Sequence, residues 1–554
     1  MRPRRFTSVF LILLSSILLL SNCGGGGGGD ATQPFVTVLD ANPATLDPLD
    51  GTDASSYRLQ QLMFNALLRK NEKFEYVGDL AAQYEVTDEG RTATFKLHEG
   101  VTFHDGKPLT SADAKYTLEH LLASNKKKAA PFFESLPAAP AAGNANTNAS
   151  STGATPPAAA KPESYISAVE TPDPLTLVIR LRKPWLQLLP SLVSVPVIPQ
   201  GSADSQKSKP VGSGPFSFVR YDESQQVVDL LGFDKYWQGA PAIKELRVRA
   251  ILDANTLQAE LQSGRIDLIS GAANLSPDFY KFLEGDPNVK VEQFPGANIV
   301  YLGFNAEQPP LNNVKVRQAI SYAIDRETIV RDLLLGQARV AHSILPEASW
   351  AYDAGQKYTL DLARSRQLLD EAGFPDPDGD GPRMRFERPI VFKITSGNAA
   401  TSQFAGVIQN ALKTVGVPVE IETLETNTLL PQLRNGQFQM TTLRWIGGNQ
   451  DPIFLRDLFY SREIPTPARP NVFNRSRYRN AELDAILEKV INTSDRAQAR
   501  ELYVRAQQII SSEVPMLPLW YPDVMVIARR SVGNIKVDPS NDYSFLRSVT
   551  VGNK

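Results

Sequence analysis

From "GRIDLI" at Gly264 to about Val526, short apolar runs alternate with longer stretches whose apolar residues recur at helical spacing. That alternation confines the chain to α/β lobes, in which helices cover sheets. At 554 residues the chain also exceeds what one hydrophobic core can serve. Upstream, "PFVTVLDANPATLDPLDGTDASS" reads as a short strand and a polar loop. Leu59, Leu62, Met63, Ala66 and Leu67 predict a helix over 57–70. Alternation predicts a strand at Thr92–Leu97, and Thr110 or Ser111 can cap a helix over 112–122. Strand-like runs follow at 164–170, 175–181, 227–231 and 245–251, with a helix over 254–263, and the last forty residues read as strand-rich. Residues 135–162, "SLPAAPAAGNANTNASSTGATPPAAAKP", hold almost no large apolar side chain and read as a disordered surface insertion.

The chain starts with the pattern of an export signal. Arg2, Arg4 and Arg5 form a positive segment, and Phe6–Leu20 is apolar but short for a membrane span. "LSNC" then brings up Cys23, the single cysteine of the chain, where a lipoprotein signal peptidase would cut and the thiol would take a lipid. Asn22 is larger than the small residue usual before such a cysteine, and an ordinary signal peptide is the alternative. Six glycines follow, a flexible tether within 24–33 reaching roughly 12–15 Å. A lone cysteine also excludes a disulfide framework. The formal charge of −2, from 58 basic and 60 acidic residues, argues against nucleic acid as a partner.

Catalytic patterns are weak. There is no G-x-S-x-G and no H-E-x-x-H. His98 and His104, beside Glu99 and Asp105, read as a strand end and a turn. "GVTFHDGK" has one residue too many between its glycines for a phosphate loop, and Pro108 stands where a hydroxyl is needed. The best cation motif is "DPDGDGPRMRFE". Asp376, Asp378, Asp380, the Pro382 carbonyl and Glu387 follow the D-x-D-x-D-G-x5-E calcium spacing, after a helix over 360–372 and before a strand at "IVFKIT". It reads either as a structural Ca2+ loop or as an acidic surface turn; no cofactor is required. "RWIGGNQDP", Arg444–Pro452, joins a large aromatic to Gly447 and Gly448, which allow close backbone approach.

Several ordered segments together resemble the bacterial extracellular solute-binding proteins of family 5. They are "LAAQYEVTDEGRTATFKLHEGVTFHDGKPLTSADAKYTLEHLL", "VGSGPFSFVRYDES", "FDKYWQGAPAIKELRVRAILDANTLQAELQSGRIDLI", "YLGFNAEQPPLNNVKVRQAISYAIDRETIV", "ARSRQLLDEAGF" and "RWIGGNQDP". The resemblance runs from Pro34 to the C-terminus outside the 135–162 insertion. It implies a two-lobed periplasmic-binding-protein type II fold with a central ligand cleft and an extra domain on the first lobe. After signal 1–23 and tether 24–33, the first lobe would comprise 34–66, 212–294 and 515–554, the extra domain 67–211, and the second lobe 295–514. It implies a monomeric binding component, not an enzyme, exported and lipid-anchored, that hands peptides to ABC permease subunits.

In peptide-binding members an Asp three residues after the Trp pairs with the peptide amine; here that position is Gly448. Asp50 or Asp53 could supply the charge instead, or the solute is an oligosaccharide, opine or metal chelate. An exported hydrolase is the reading from another class, and no acid pair at a mechanistic spacing supports it. The resemblance implies ligand contacts at Trp445, Gly447, Gly448, Asn449 and Asp451, and at Gly51, Thr52 and Asp53. Trp445 reads as a wall of the cleft or as packing within the lobe. Arg317 and Arg326, on an amphipathic helix, read as structural.

Overall fold

A computed structural model describes residues 33–124, 126–133, 163–272, 275–379, 383–447, 450–493 and 495–552. The signal, Cys23, nearly all of the tether, the 135–162 insertion, Asp380, Pro382, Gly448 and Asn449 lie outside the described residues.

Two sheets form the lobes. The first has seven strands in the order Val289–Phe294, Val524–Arg529, Leu268–Ser270, Phe35–Leu39, Glu245–Ala250, Val227–Gly232 and Phe216–Asp222. Phe35–Leu39 runs parallel to both of its neighbours, and the other pairings are antiparallel. Val38, Leu246, Leu268, Ile269, Val526 and Ile527 are buried and divide between the cores on the two faces. The second sheet has six strands in the order Ala338–Val340, Met516–Pro522, Ile299–Phe304, Met440–Trp445, Ile390–Thr395 and Val419–Leu424. Separate apolar cores cover its two faces. This is the α/β architecture expected from the alternation.

The expected end of the second lobe at 514 is corrected. Met516–Pro522 pairs with Ile299–Phe304, so the second lobe runs on to Pro522. The helix Arg496–Glu513 closes at Val514 in a left-handed conformation, which resembles a boundary. The next strand then continues through both lobes with only Asp523 between its halves.

The hinge is therefore a two-stranded ribbon. One strand passes from Val289–Phe294 to Ile299–Phe304, and its antiparallel neighbour returns from Met516–Pro522 to Val524–Arg529. The side chain of Asp523 ties the crossing: its carboxylate accepts from Gln293 Nε2 at 2.7 Å, Arg339 Nε at 3.0 Å and the Gly296 amide at 3.4 Å. A Cβ on Gly296 would lie 2.0 Å from the Pro522 carbonyl oxygen, so only glycine fits there.

The extra domain is a four-stranded antiparallel sheet, Ala81–Thr87, Thr92–Leu97, Thr176–Leu181 and Ile166–Asp173, covered by the helix Ser111–Ala123. Thr110 and Asp113 form a capping box at the start of that helix. The core of this domain is continuous with one face of the first lobe. The turn at His104 helps join them. Its ring accepts from the Gly212 amide at 3.3 Å and faces the Gly214 carbonyl at 3.0 Å, and burial pushes it down to about 4.

One local expectation fails in a way that matters for function. The helix expected over 57–70 spans Ala54–Met63 and stops. Phe64 is extended, and the Asp79 carboxylate captures the Ala66 amide at 3.0 Å and Asn65 Nδ2 at 3.1 Å. The chain then forms a hairpin, Leu68–Lys70 with Tyr76–Gly78. Tertiary hydrogen bonding overrides the helical spacing and turns Lys70 away from a helix face. The last forty residues likewise hold more loop than expected, with 534–549 lacking strands altogether.

Candidate functional site: the cleft between the lobes

A cavity of about 540 Å3 opens between the lobes. Its walls include the Ala54–Met63 helix, the hairpin at Leu68–Lys70, the segment 190–196, residues 538–547, the hinge residue Asn298, and the loop after the Met440–Trp445 strand. That volume lies within the range of small-molecule sites, roughly 300–1,000 Å3.

The second-lobe loop reaches the cavity through Ile446, Gly447 and Gln450. Gly447 has φ of 77° and donates its amide to Asn298 Oδ1 at 3.0 Å, so the hinge holds the loop in place. Trp445 lies behind this rim. Its ring stacks on Tyr301 at 6.1 Å, meets Phe454 and Phe473 edge-on at 5.1 and 5.5 Å, and carries the Arg475 guanidinium at 5.1 Å. The side chain of Ile446, 55% exposed, faces the cavity instead.

On the first-lobe side Thr52 lines the cavity. Gly51 is buried behind it, where a Cβ would lie 2.4 Å from Gln60 Nε2. Asp53 caps the Ala54–Met63 helix, accepting from the Ser56 amide at 2.9 Å. Asp50 accepts from the Lys127 amide at 3.1 Å. Neither acid is among the residues that line the cavity. Asp451 accepts from the Ile453 amide at 3.1 Å and from the Tyr76 hydroxyl, which bridges the extra-domain hairpin to the second lobe. Arg496 and Glu75 make a second bridge at 3.4 Å.

Sequence reasoning missed the charged lining. Arg69 and Lys70 come from the hairpin, and Asp538, Asp542 and Arg547 from the C-terminal loop. Burial pushes the Asp542 carboxyl up to about 6, and the neighbouring Asp538 charge adds to this. Burial and Asp542 push the Tyr57 phenol up to about 12. Burial lowers Lys70, against the opposing fields of Asp451 and Asp538. Behind the wall, burial takes Lys128 down to about 7, and its Nζ donates to Gln60 Oε1 at 2.7 Å. A signal was present in "LLRKNEKFEY" and "VDPSNDYS", each dense in charge or turn residues, but nothing in either string says that it faces a cavity.

The remaining candidates lie away from the cleft. Arg317 donates to the carbonyls of Leu311 and Glu513 at 2.8 and 2.6 Å, and Arg326 to that of Pro518 at 2.6 Å; both hold backbone, as expected. In the acidic loop, Asp376 and Asp378 accept backbone amides of Asp378 and Arg383, each at 3.3 Å, and Glu387 is exposed. The Arg385 guanidinium, 4% exposed, lies between Asp370 at 2.5 Å and Asp376 at 3.9 Å. Among the described residues no three acidic, His or Cys side chains converge as a metal site.

Among the described residues, no helix is long and apolar enough to cross a membrane. The chain is 29% identical over 508 residues to heme-binding protein A of Haemophilus influenzae, covering 86% of this chain and 85% of that one. It is 27% identical over 522 residues to the oligopeptide-binding protein AppA of Bacillus subtilis, covering 90% and 88%. The ABC transporter substrate-binding protein CtaP of Listeria monocytogenes has the same fold, with a TM-score of 0.79 at 24% identity over 94% of this chain and 99% of that one. The description "Bacterial extracellular solute-binding proteins, family 5 Middle" matches residues 75–465, and with the type II two-lobed fold around a cleft the chain belongs to the family 5 substrate-binding proteins.

Proposed function

We propose that the protein is the lipid-anchored receptor of an ABC importer, which captures peptides outside the cytoplasmic membrane and passes them to the permease. The observation that carries this is the inter-lobe cavity of about 540 Å3, set beside a two-strand hinge and lined by charged groups of both signs. Such a site performs no bond chemistry; it needs enclosure and a few directed polar groups. Closure follows from tighter binding by the closed state. The peptide assignment is supported by the likeness to an oligopeptide-binding protein. The anchor is supported by "LSNC" and the glycines after it.

A second reading is a non-peptide solute. Gly448, where peptide-binding relatives are expected to carry an acid, favours it, as does the likeness to a heme-binding protein. Native mass spectrometry of the freshly purified protein, followed by thermal shifts with a peptide library, decides between the two. A bound peptide, and stabilisation of about 2.7 kcal/mol at a hundredfold excess over Kd, is the expected result. Stabilisation by a sugar, opine or chelate alone would select the second reading. A Cys23→Ser chain should leave the membrane fraction; if it stays, the anchor is wrong.

A further inference from the structure

The charges lining the cleft form two poles. Arg58 is already held by Asp40 at 3.2 Å, and Asp79 by Asn65 and the Ala66 amide. Lys70 is different. Among the described residues its ammonium has no hydrogen bond and no ion pair within 4 Å, although it lines the cavity and burial weakens its hold on the proton. The carboxylates of Asp451 and Asp538 act on it only through their field. The opposite pole is the C-terminal loop. Asp538 and Asp542 each commit one oxygen to a serine two residues on, Ser540 Oγ at 2.9 Å and Ser544 Oγ at 2.5 Å. Their other oxygens have no hydrogen bond among the described residues, and burial, with the neighbouring Asp538 charge adding to it, raises Asp542. Arg547, whose field partly offsets Asp542, turns its guanidinium to Gln238.

A partly desolvated ammonium without a hydrogen-bonded partner and two neighbouring carboxylates are both unfavourable in a cavity. A solute that brings the complementary groups relieves both, whereas a neutral one leaves both costs in place. We propose that the cleft selects a zwitterionic solute, its anionic group seated against Lys70 of the hairpin and its cationic group against Asp538 and Asp542 of the C-terminal loop. This rests on the cleft being the solute site. It places recognition of both charges on the first lobe and the elements attached to it, leaving the second lobe to supply Ile446, Gly447 and Gln450 as the closing face.

The test uses trialanine in four forms: free termini, N-acetyl, C-amide and doubly capped. Each is titrated calorimetrically at pH 7.5 into the wild-type chain, Lys70→Met and Asp542→Asn. Each single cap should weaken wild-type binding at least tenfold. Lys70→Met should lose a similar factor for the free peptide and little for the C-amide, and Asp542→Asn should behave likewise toward the N-acetyl form. If a variant does not fold, the four forms on the wild type still decide. Equal affinity for all four overturns the two-pole inference and leaves the receptor reading standing. A parallel thermal-shift panel of neutral sugars, polyanions and amino-acid conjugates covers other solutes. Stabilisation by an uncharged sugar alone, unchanged in both variants, also overturns the inference but not the receptor. No stabilisation by any probe overturns the receptor reading, and the inference with it.

Discussion

A carboxylate raised by burial destabilises the fold that carries it. Asp542 ionises at about 6 in the folded chain, against 3.8 when free. Between those values the unfolded state gives up its proton first, so stability falls as pH rises, and the full penalty is present above about 6. The difference corresponds to roughly 1–3 kcal/mol. Asp542→Asn should therefore raise the unfolding free energy of the solute-free protein by that amount at pH 7.5 and leave it unchanged at pH 4. Denaturant titrations at the two pH values measure this, and equal stability at pH 7.5 would show that the burial cost is not real. His104 has the opposite sign. Its ordinary value of 6.5 falls to about 4 on burial, so its contribution is lost as pH drops through that window. A stabilising substitution that weakens solute binding is the usual mark of a site kept charged for function.

The hairpin Leu68–Lys70 with Tyr76–Gly78 carries both a cavity-lining charge and a contact across the lobes. One strand brings Lys70 to the cavity, and the other, directly opposite in register, sends the Tyr76 hydroxyl to Asp451 across the lobes. Burial and the Asp451 charge hold the Tyr76 phenol well above its usual value, so it remains the proton donor. A hydrogen bond to a charged acceptor contributes on the order of 1.5–3 kcal/mol. If it forms only in the closed state, Tyr76→Phe should weaken solute affinity about tenfold or more, chiefly through faster dissociation. Stopped-flow release of a fluorescent peptide reads this directly, and an unchanged off-rate would remove the clasp. The same hairpin explains why its role was hidden in the sequence. Leu59, Leu62, Met63, Ala66 and Leu67 keep helical spacing across a point where Asp79, sixteen residues beyond Met63, takes the backbone amide that would have continued the helix.

At the scale of the molecule, the two lobes are joined by one continuous ribbon, and Asp523 is its cross-tie. Gln293, Gly296 and Arg339 all donate to that single carboxylate, which is nearly buried. Asp523→Ala removes the common acceptor of all three donors and leaves the Arg339 guanidinium without its carboxylate. The expected cost is on the order of 2 kcal/mol, together with a larger radius of gyration for the solute-free protein in X-ray scattering. A melting temperature and scattering curve identical to wild type would show that the ribbon alone sets the hinge.

The α/β character, the strands at Thr92–Leu97 and Ile390–Thr395 and the capped helix after Thr110 were legible in the sequence, because each depends on residues near one another in the chain; the amphipathic spacing around Arg317 and Arg326 suggested structural roles, but the carbonyls of Glu513 and Pro518 that they hold lie almost 200 residues away. The ordered segments beginning at "LAAQYEV" and ending at "RWIGGNQDP" were enough to suggest the family and its two lobes. The second-lobe boundary was not legible, because Met516–Pro522 and Val524–Arg529 have the same apolar character and only pairing partners distinguish their sheets. Nor was the cleft. "RWIGGNQDP" draws the eye to Trp445, yet the fold places that ring against Tyr301, Phe454 and Phe473 and turns Ile446 and Gly447 to the cavity. Lys70 is separated from Asp538 and Asp542 by more than 460 residues of chain, and no local pattern can report that a fold encloses them together. Local spacing fixes which elements form; a binding site is set by which distant charges lose their water in the same cavity, and that is decided only when the lobes assemble.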